Sequence, residues 1–600
     1  MRREKNWWTS KRVWLLVFVA SVVGGALAWL NAATWWGWLL VVMSAALVGA
    51  VAALSRPRSR AVQAVAGVAA FSVVVLAALA GGPILTTRSL EGPLTEAVTT
   101  TEGDVMGVRI EPAGVEAFAG VPYAAAPVGE LRWEPPQAAP ARDEVLVADD
   151  FGPSSFQSEP SFLTRAATRL IDIPLPQTFV GGYASDEDSL RLNIWRPIGA
   201  SADTPRPVLV YIHGGAFTSG SGALPLYDGT SLASQGDIVV VTINYRLGVF
   251  GFLADDALGG STAGNQGILD QLAALHWVQD NIRAFGGDPD HVTVAGESAG
   301  SGSACIMGAS PLAAGLVHGI IGESGGCLGS VGNRETGDLY DDASTAREVA
   351  QELSRALGGA TLDEMRKMPA ERVAEAASDL TVHWFPTIDG LVLPDTPTAI
   401  YDAGRQNDVP LLLGSNSNES SLNLVAGVDS DPARYGQEAR EAYGSDAERF
   451  LQLYPGDDEE SVTASRIASE THKGMTAPMR KWALTATETG TSNVYSYSFS
   501  RTPPVPGLER FGAYHGAEVA YAYGNLGADG TPESNDVDRR LETEMSAYWI
   551  AFVSSGDPNG AGRIHWPVLG DDPESLLVFG DTTSIAPRPF AEEVDFWLDR

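Results

Sequence analysis

The chain opens on a long run of apolar positions. No charged side chain occurs in the 42 residues from Val13 to Leu54, and a further uncharged stretch runs from Ala61 to Thr87. A helix of about 20 residues spans the apolar layer of a bilayer, so the first run is twice the length of one crossing. The pattern predicts three transmembrane helices, at about 13–30, 35–54 and 61–85, with a turn near Asn31.

Beyond residue 102 the apolar positions form short runs instead. Residues 207–212, 237–243 and 291–295 are rich in Val and Ile and are bounded by Gly, Pro or Asp, which is typical of buried strands. Between the last two, apolar residues at helical spacing predict a helix over 267–285 that ends at the GGDP of residues 286–289. Strands that alternate with helices predict an α/β fold with a large, mostly parallel sheet flanked by helices.

Charge divides the chain into two parts. Residues 1–90 hold nine Lys or Arg and a single acid, while the whole chain has 40 bases and 74 acids and a net charge of -34. Bases precede the first predicted helix, and Arg56, Arg58 and Arg60 follow the second, so the positive-inside rule places both regions in the cytoplasm. A cleaved signal peptide over residues 1–30 is the alternative, but two more apolar stretches follow it.

These patterns predict a multi-pass protein of the cell membrane. Residues 1–90 form a membrane anchor with a cytoplasmic N-terminus, and the lipid bilayer is its partner. Residues 91–102 form a linker, and residues 103–600 form a domain outside the cytoplasm. The oligomeric state stays open.

The composition excludes several classes of protein and site. Strong negative charge disfavours binding to nucleic acid. Two cysteines, Cys305 and Cys327, cannot form a disulfide framework or a four-thiolate metal site. Their separation leaves open whether they pair, and two free buried thiols are the expected state. With few His and Cys and no dinucleotide-binding glycine motif after a strand, we expect no metal and no organic cofactor.

Candidate chemistry begins at the end of the third predicted strand. Residues 296–300 read GESAG, a G-x-S-x-G pattern that places a serine on a sharp strand-to-helix turn with its hydroxyl exposed. A second copy, GESGG, occupies residues 322–326 but leads into a glycine-rich segment that would make a poor helix. We therefore favour Ser298 over Ser324 as a nucleophile.

A glycine turn follows the first predicted strand, at residues 213–217 (HGGAF). Without side chains in the way, its backbone can approach a ligand. The N–H groups of Gly215 and Ala216, with that of Ala299 at the helix start, are the predicted donors to an oxyanion. An ordinary turn without a binding role is the alternative.

Several further motifs lie apart from one another along the chain. They are FAGVPYA (118–124), PVGELRW (127–133), DEDSLRLN (186–193), NYRLGVFGF (244–252), GNQG (264–267) with Asp270 and Gln271, and GDPN (556–559). In these motifs the chain resembles the type-B carboxylesterases, which have the α/β-hydrolase fold and include bacterial para-nitrobenzyl esterases, lipases and cholinesterases. The resemblance covers about 103–600 and implies a serine esterase that acts on small-molecule or lipid esters.

The family's chain order of Ser, acid and His implies the partners of the serine. His515 lies in YHGAE (514–518) and matches the family's H-G-x-E loop, while His472 and His565 are the other histidines late in the chain. Glu419 matches the G-x-N-x-x-E segment, and a solvated surface acid is the alternative for it. We expect Glu518 to brace the histidine loop.

The resemblance also indicates a substrate pocket and two departures. Phe217, Trp384 and Phe385 could form an apolar wall, with core packing as the alternative. Many relatives have a disulfide where this chain has Ser155 and Ser189, so that bridge is absent. The segment 156–188 has no Trp to bind a quaternary ammonium group, and choline esters are therefore not expected substrates.

Two functions remain in view. One is a membrane-tethered serine carboxylesterase that works through an acyl-enzyme, and the other is a catalytically silent adhesion or scaffold protein of the neuroligin kind. Silent relatives usually lose the nucleophile. Because Ser298, Glu419, His515 and the glycine turn are all present, the sequence favours the enzyme.

Overall fold

The computed structural model describes residues 4–54, 60–80, 85–159, 162–170, 183–258, 264–329, 341–528 and 534–600. Arg56 and Arg58, on which the predicted orientation depends, lie outside these residues. The chain divides into a smaller unit, residues 1–86 with 159–176, and a larger unit, residues 87–158 with 177–600.

The smaller unit consists of helices. Asn31 is buried at the turn between the first two, where its amide donates hydrogen bonds to the carbonyls of Ala78 (3.1 Å) and Leu79 (2.8 Å). Its side-chain oxygen accepts a hydrogen bond from Arg165 at 2.8 Å. The predicted turn at Asn31 is thereby confirmed. The helices are α1 (Glu4–Leu30), α2 (Trp35–Leu54), α3 (Arg60–Ala80) and α4 (Phe162–Leu170).

The first three helices occupy the positions of the three predicted membrane spans. A bilayer crossing needs about 20 residues of predominantly apolar helix. Within the part of the chain that the structure describes, no helix meets both the length and the apolar character required. The assignment of transmembrane helices at 13–30, 35–54 and 61–85 is therefore not supported.

The larger unit is built on an eleven-stranded sheet in the order β18-β17-β16-β15-β12-β11-β9-β10-β8-β4-β3. The strands from β10 to β17 in this order are parallel, and the pairs at both edges are antiparallel. The mostly parallel α/β sheet predicted from the sequence is confirmed. The strands are β1 (Val98–Thr100), β2 (Gly103–Met106), β3 (Val108–Ile110), β4 (Val115–Pro122), β5 (Leu146–Val147), β6 (Ser154–Ser155), β7 (Ser185–Asp186), β8 (Arg191–Pro197), β9 (Arg206–Ile212), β10 (Val239–Ile243), β11 (Gly287–Glu297), β12 (Gly319–Glu323), β13 (Asp341–Asp342), β14 (Thr387–Ile388), β15 (Leu411–Asn416), β16 (Val494–Phe499), β17 (Ser575–Phe579) and β18 (Ser584–Pro587).

Helices connect and flank these strands. The predicted helix over 267–285 is present as α7 (Gln266–Asn281), which continues as a 3-10 turn to Phe285 and stops at Gly286 in the left-handed region (φ 79°). The helices are α5 (Thr230–Gly236), α6 (Gly248–Phe252), α7 (Gln266–Asn281), α8 (Ala299–Ala309), α9 (Ala343–Ala356), α10 (Leu362–Arg366), α11 (Ala370–Ser378), α12 (Pro397–Asp402), α13 (Pro432–Tyr443), α14 (Ala447–Leu453), α15 (Glu459–Thr471), α16 (Ala477–Thr489), α17 (Val519–Ala522), α18 (Asp536–Ser555) and α19 (Ala591–Leu598).

Strand direction sets the position of the site. The central strands β9 and β10 are buried on both faces, as their continuous Val and Ile runs predict. Because β9, β11, β12 and β15 are parallel, the segments that follow their carboxyl ends meet at one edge of the sheet. Open α/β sheets bind their ligands at this edge.

The boundary between the predicted linker and the predicted domain is not a break in structure. Val98 to Thr100 form β1, which pairs with β2, and Val98 is buried. The whole stretch 91–102 belongs to the larger unit. The functional division into 1–90, 91–102 and 103–600 stays a prediction.

The two cysteines form a disulfide. The Cα atoms of Cys305 and Cys327 lie 5.7 Å apart, and both residues are fully buried. The expectation of two free thiols is wrong. Helix α8 follows β11, and Cys327 follows the neighbouring strand β12, so the pairing of these strands brings the cysteines together in a way that their sequence separation does not reveal.

Candidate active site

Ser298 sits on a strained turn between β11 and α8. Its backbone has φ 56° and ψ -124°, a conformation that L-residues rarely adopt and that functional sites often retain. A Cβ atom on Gly300 would lie 2.0 Å from the carbonyl oxygen of Ile212, so the helix can approach β9 only with glycine there. The turn leaves the Ser298 side chain partly exposed.

His515 and Glu419 complete a chain of hydrogen bonds from this serine. The Ser298 Oγ lies 2.8 Å from His515 Nε2, and His515 Nδ1 lies 2.6 Å from Glu419 Oε2. An ionised carboxylate can only accept, so in the neutral imidazole Nδ1 carries the proton and Nε2 is free to accept the serine hydroxyl hydrogen. The structure thus brings together three residues that are spread over 217 positions of the sequence, from Ser298 to His515.

Glu419 is held in place by its own strand. It directly follows the loop after β15, and the backbone N–H of Asn416 donates to its Oε1 at 2.7 Å. Its side chain is only 2% exposed. The alternative of a solvated surface acid is excluded by this burial.

A second carboxylate lies against His515. Glu297, the residue before the serine, places Oε1 3.2 Å from His515 Nε2. Burial lowers the pKa of an imidazole, but the carboxylates of Glu297 and Glu419 outweigh it and raise the pKa of His515 to about 10. Burial in turn raises the pKa of Glu297 to about 7, so this carboxyl holds its proton more tightly than an exposed one.

The glycine turn after β9 presents backbone donors beside the serine. Gly215 and Ala216 donate no backbone hydrogen bond within the described residues, and Ala299 is the first residue of α8. His213 is fully buried, donates from Nδ1 to the Gly214 carbonyl at 2.8 Å, and has its pKa lowered by burial to about 4. A neutral His213 therefore supports the turn from behind.

The second G-x-S-x-G copy lies beside the first. Strands β11 and β12 align the two motifs in register, with Glu297 opposite Glu323. Ser324 also has a positive φ of 54°, but it is fully buried and its hydroxyl donates to Glu518 at 3.3 Å. The geometry therefore favours Ser298, the partly exposed member of the pair, as the reactive serine.

Glu518 braces the histidine loop, as the sequence predicts. It accepts hydrogen bonds from Ser324 and from the Asn416 side chain, and the Asn416 amide also donates to the Tyr514 carbonyl at 2.8 Å. His472, the other buried candidate, is in hydrogen-bonding distance of Tyr454, at 3.0 Å from Nδ1 to Oη. It belongs to a separate aromatic cluster with Tyr454 and Phe590.

The three residues predicted to form an apolar wall are all buried. Phe217 contacts Phe385 edge-on with ring centroids 6.1 Å apart, and Trp384 is 6% exposed. Burial of this degree is equally consistent with core packing, so their role in substrate binding stays a prediction. The hydroxyls of Ser155 and Ser189 lie 3.0 Å apart, so the two serines are neighbours, as the resemblance implies.

Sequence reasoning missed two residues, one that contacts His515 and one that binds the backbone next to the glycine turn. Glu297 is part of the serine motif, and only its position before a strained turn next to His515 makes it a neighbour of the imidazole. Gln157 has no motif-level signal of its own, yet it binds the backbone at Gly220, just after the glycine turn. Within the described ranges, no group of His, Cys, Asp or Glu has the arrangement to hold a metal ion.

Comparison with known proteins places this geometry in a family. Residues 95–597 match the carboxylesterase family. The chain is 33% identical over 523 residues to para-nitrobenzyl esterase of Bacillus subtilis (strain 168), covering 83% of this chain and 97% of that protein. It is 34% identical over 497 residues to fumonisin B1 esterase of Sphingopyxis macrogoltabida, covering 78% and 83% of the two chains.

Solved structures agree with the sequence comparison. The carboxylesterase EST55 of Geobacillus stearothermophilus aligns with a TM-score of 0.70 at 33% identity, covering 84% of this chain and 100% of that one. A para-nitrobenzyl esterase structure aligns with the same TM-score at 30% identity, covering 83% of this chain and 98% of its own. The protein therefore belongs to the carboxylesterase family, has the α/β-hydrolase fold and is a carboxylic ester hydrolase.

Proposed function

We propose that the protein hydrolyses carboxylic esters through an acyl-enzyme formed on Ser298, with His515 as general base and acid and Glu419 as the acid of the triad. The observation that carries the proposal is the unbroken hydrogen-bond chain from Ser298 through His515 to Glu419. A hydroxyl is a weak nucleophile, and an adjacent base that is oriented by a third group is the usual way to activate it.

The reaction proceeds in two halves. Ser298 Oγ attacks the ester carbonyl while its proton passes to His515 Nε2, and the imidazolium then gives that proton to the departing alkoxide, so an alcohol leaves. Water attacks the acyl-enzyme and gives a proton to the same imidazole; the bond from the acyl carbon to Ser298 Oγ then breaks, the imidazolium returns the proton to Oγ, and the carboxylic acid is released. Glu419 fixes the tautomer through Nδ1–H and stabilises the imidazolium that forms in each half.

The glycine turn supplies the electrostatic part of catalysis. In each half the carbonyl oxygen becomes an oxyanion, which the N–H groups of Gly215, Ala216 and Ala299 would bind. Removing one such donor typically costs about 2.7–4 kcal/mol of transition-state stabilisation. The substrate class is a small-molecule or lipid ester, with Phe217 as the aromatic residue closest in sequence to the donors.

The first test replaces the nucleophile. We expect Ser298→Ala in the full-length protein to lower kcat for a short-acyl nitrophenyl ester by about six decades, because no other group can form the acyl-enzyme. Ser324→Ala is the matched control: it lies on the equivalent turn of the next strand and should retain most of the activity. If Ser324→Ala lost turnover while Ser298→Ala retained it, the nucleophile would be Ser324 and the proposed assignment would be wrong.

We further propose that the N-terminal helical unit attaches the enzyme to the cell membrane and that the hydrolase domain lies outside the cytoplasm. The charge pattern of residues 1–90 supports this orientation. Phe18, Trp35 and Met43 are each at least 60% exposed in the described helices, an apolar surface that lipid would cover. A buried disulfide also fits an oxidising compartment.

A further inference from the structure

Gln157 makes a two-point contact with one glycine of the backbone. Its side-chain Nε2 donates to the Gly220 carbonyl at 2.8 Å, and its Oε1 accepts from the Gly220 N–H at 3.0 Å. The same Nε2 donates to the Ser155 carbonyl at 3.1 Å, which ties the side chain to β6, the strand that ends two residues before Gln157. Both polar groups of the amide thus form hydrogen bonds with backbone atoms.

Gly220 is packed directly against the turn that carries the predicted oxyanion donors. Its φ is +112°, and a Cβ atom there would lie 2.4 Å from His213 Nδ1 and 2.5 Å from the Gly214 carbonyl oxygen. No side chain fits between Gly220 and the turn. A displacement of Gly220 would therefore also displace residues 213 and 214.

The turn itself is a strained structure that needs support at both ends. Ala216 and Phe217 have φ of 53° and 58°, which costs about 1–3 kcal/mol for each residue and persists only where the surroundings enforce it. One end is held by the N–H of Gly248, which donates to the Phe217 carbonyl at 2.6 Å. The other end is held where Gln157 binds Gly220.

The hydrogen bonds inside the turn show how its support affects the predicted oxyanion donors. The Gly215 carbonyl accepts from the N–H groups of Thr218 and Ser219, each at 3.0 Å, and from the Ser219 hydroxyl at 3.1 Å. This orientation of the carbonyl leaves the N–H groups of Gly215 and Ala216 without backbone partners within the described residues. Catalytic donors must be held to within about 0.5 Å of the productive geometry.

We propose that Gln157 is a positioning residue for the oxyanion hole: it clamps Gly220 and so fixes the N–H groups of Gly215 and Ala216 toward the reacting carbonyl. The inference rests on the proposed serine mechanism. Gln157 contacts neither substrate nor the reacting atoms. It acts only through the backbone of the turn.

The test uses two variants of the full-length protein. Gln157→Met keeps the length of the side chain but removes all three hydrogen bonds of the amide, the two with Gly220 and the one with Ser155. Gln157→Glu keeps an acceptor for the Gly220 N–H while setting a carboxylate against the Gly220 carbonyl. We expect both to lower kcat for a nitrophenyl ester about 10- to 100-fold, less than the full loss of an oxyanion donor, with KM changed less than about twofold. Gln437→Met, on the exposed face of α13, is the matched control and should keep wild-type kinetics.

A second readout separates positioning from a merely structural role. In the adduct of a trifluoromethyl ketone, Ser298 Oγ bonds to the carbonyl carbon, the proton moves to His515, and the oxyanion occupies the hole. In the Gln157 variants, the inhibition constant of the ketone should rise in parallel with the fall in kcat/KM. Inhibition constants and kcat that stay at wild-type values in folded Gln157 variants would overturn the proposal.

The outcomes also separate this inference from the mechanism on which it rests. If Ser298→Ala stays active, the serine mechanism fails whatever the Gln157 variants do. A second outcome would leave the serine mechanism standing but show that Gln157 has only a structural role. In that case Ser298→Ala is inactive, Gln157→Met loses thermal stability, and the ratio of the ketone inhibition constant to KM in Gln157→Met equals that of the wild type.

Discussion

At the scale of single residues, His515 is defined by the carboxylates around it. Glu419 contacts Nδ1 and Glu297 lies near Nε2, the nitrogen that must receive the serine proton. Both favour the imidazolium, so the pKa of His515 lies above the ordinary value of 6.5. A stronger base takes the serine proton more readily, but it is neutral and ready to act only at higher pH.

This arrangement predicts a shifted pH profile. Because the base works only when unprotonated and its pKa is raised, kcat/KM should increase with pH with a midpoint above 6.5. Glu297→Gln removes a negative charge beside Nε2, so the midpoint should move to lower pH by about one unit or more. The midpoint can be measured from kcat/KM in steady-state kinetics between pH 5 and 10. A midpoint identical to that of the wild type would mean that Glu297 does not influence the base.

Glu419→Gln provides the contrast to this variant. It also removes a charge next to the imidazole, but it further removes the acceptor that fixes the Nδ1–H tautomer. We expect kcat to fall by about four decades, with KM little changed. Near-full activity in Glu419→Gln would move the acid role elsewhere, first to Glu518.

Short motifs made the main candidate residues predictable. Ser298 and the glycine turn are recognisable because each needs small residues at adjacent positions, and adjacency is visible in a sequence. Glu297 and Gln157 act across the fold, on a histidine loop and on a glycine that are distant in the chain. No local pattern shows such contacts.

At the scale of elements, the pairing of β11 with β12 explains two features at once. It aligns the two G-x-S-x-G motifs, and it brings Cys305 and Cys327 together behind them. The disulfide therefore joins the helix that follows Ser298 to the loop that follows Ser324. The strands themselves were predictable from their Val and Ile runs, whereas their neighbours in the sheet were not.

The disulfide should contribute to stability rather than to chemistry. Closing a loop of 22 residues is worth about 3 kcal/mol in the chain-entropy model. We expect the Cys305→Ala, Cys327→Ala double variant to unfold at a lower temperature while it keeps the KM of the wild type, as shown by calorimetry and kinetics. Dithiothreitol should not lower its melting temperature further. An unchanged melting temperature in the variant would show that the bridge contributes nothing.

At the scale of the whole molecule, composition and periodicity fixed the class of the fold but not its boundaries. Alternating strands and helices indicated a parallel sheet, and the eleven-stranded sheet confirms it. The stretch 91–102, rich in Thr and other polar residues, predicted a linker, yet Val98–Thr100 pairs as β1. Polar composition cannot exclude a short edge strand, because its backbone bonds are independent of its side chains.

The location of the hydrolase domain is the prediction that concerns the whole chain. The bases before Val13 and at Arg60 predict a cytoplasmic N-terminus and a catalytic domain on the opposite side of the membrane. In intact cells that express the full chain, we expect external protease to remove an epitope placed after Arg600 and to spare one placed after Leu54. Both epitopes should be digested once the membrane is opened. If the C-terminal epitope is protected until the membrane is opened while the epitope after Leu54 is accessible, the orientation is the reverse of the one predicted. The assignment of Ser298, Glu419 and His515 would stand in either case, because it rests on other residues.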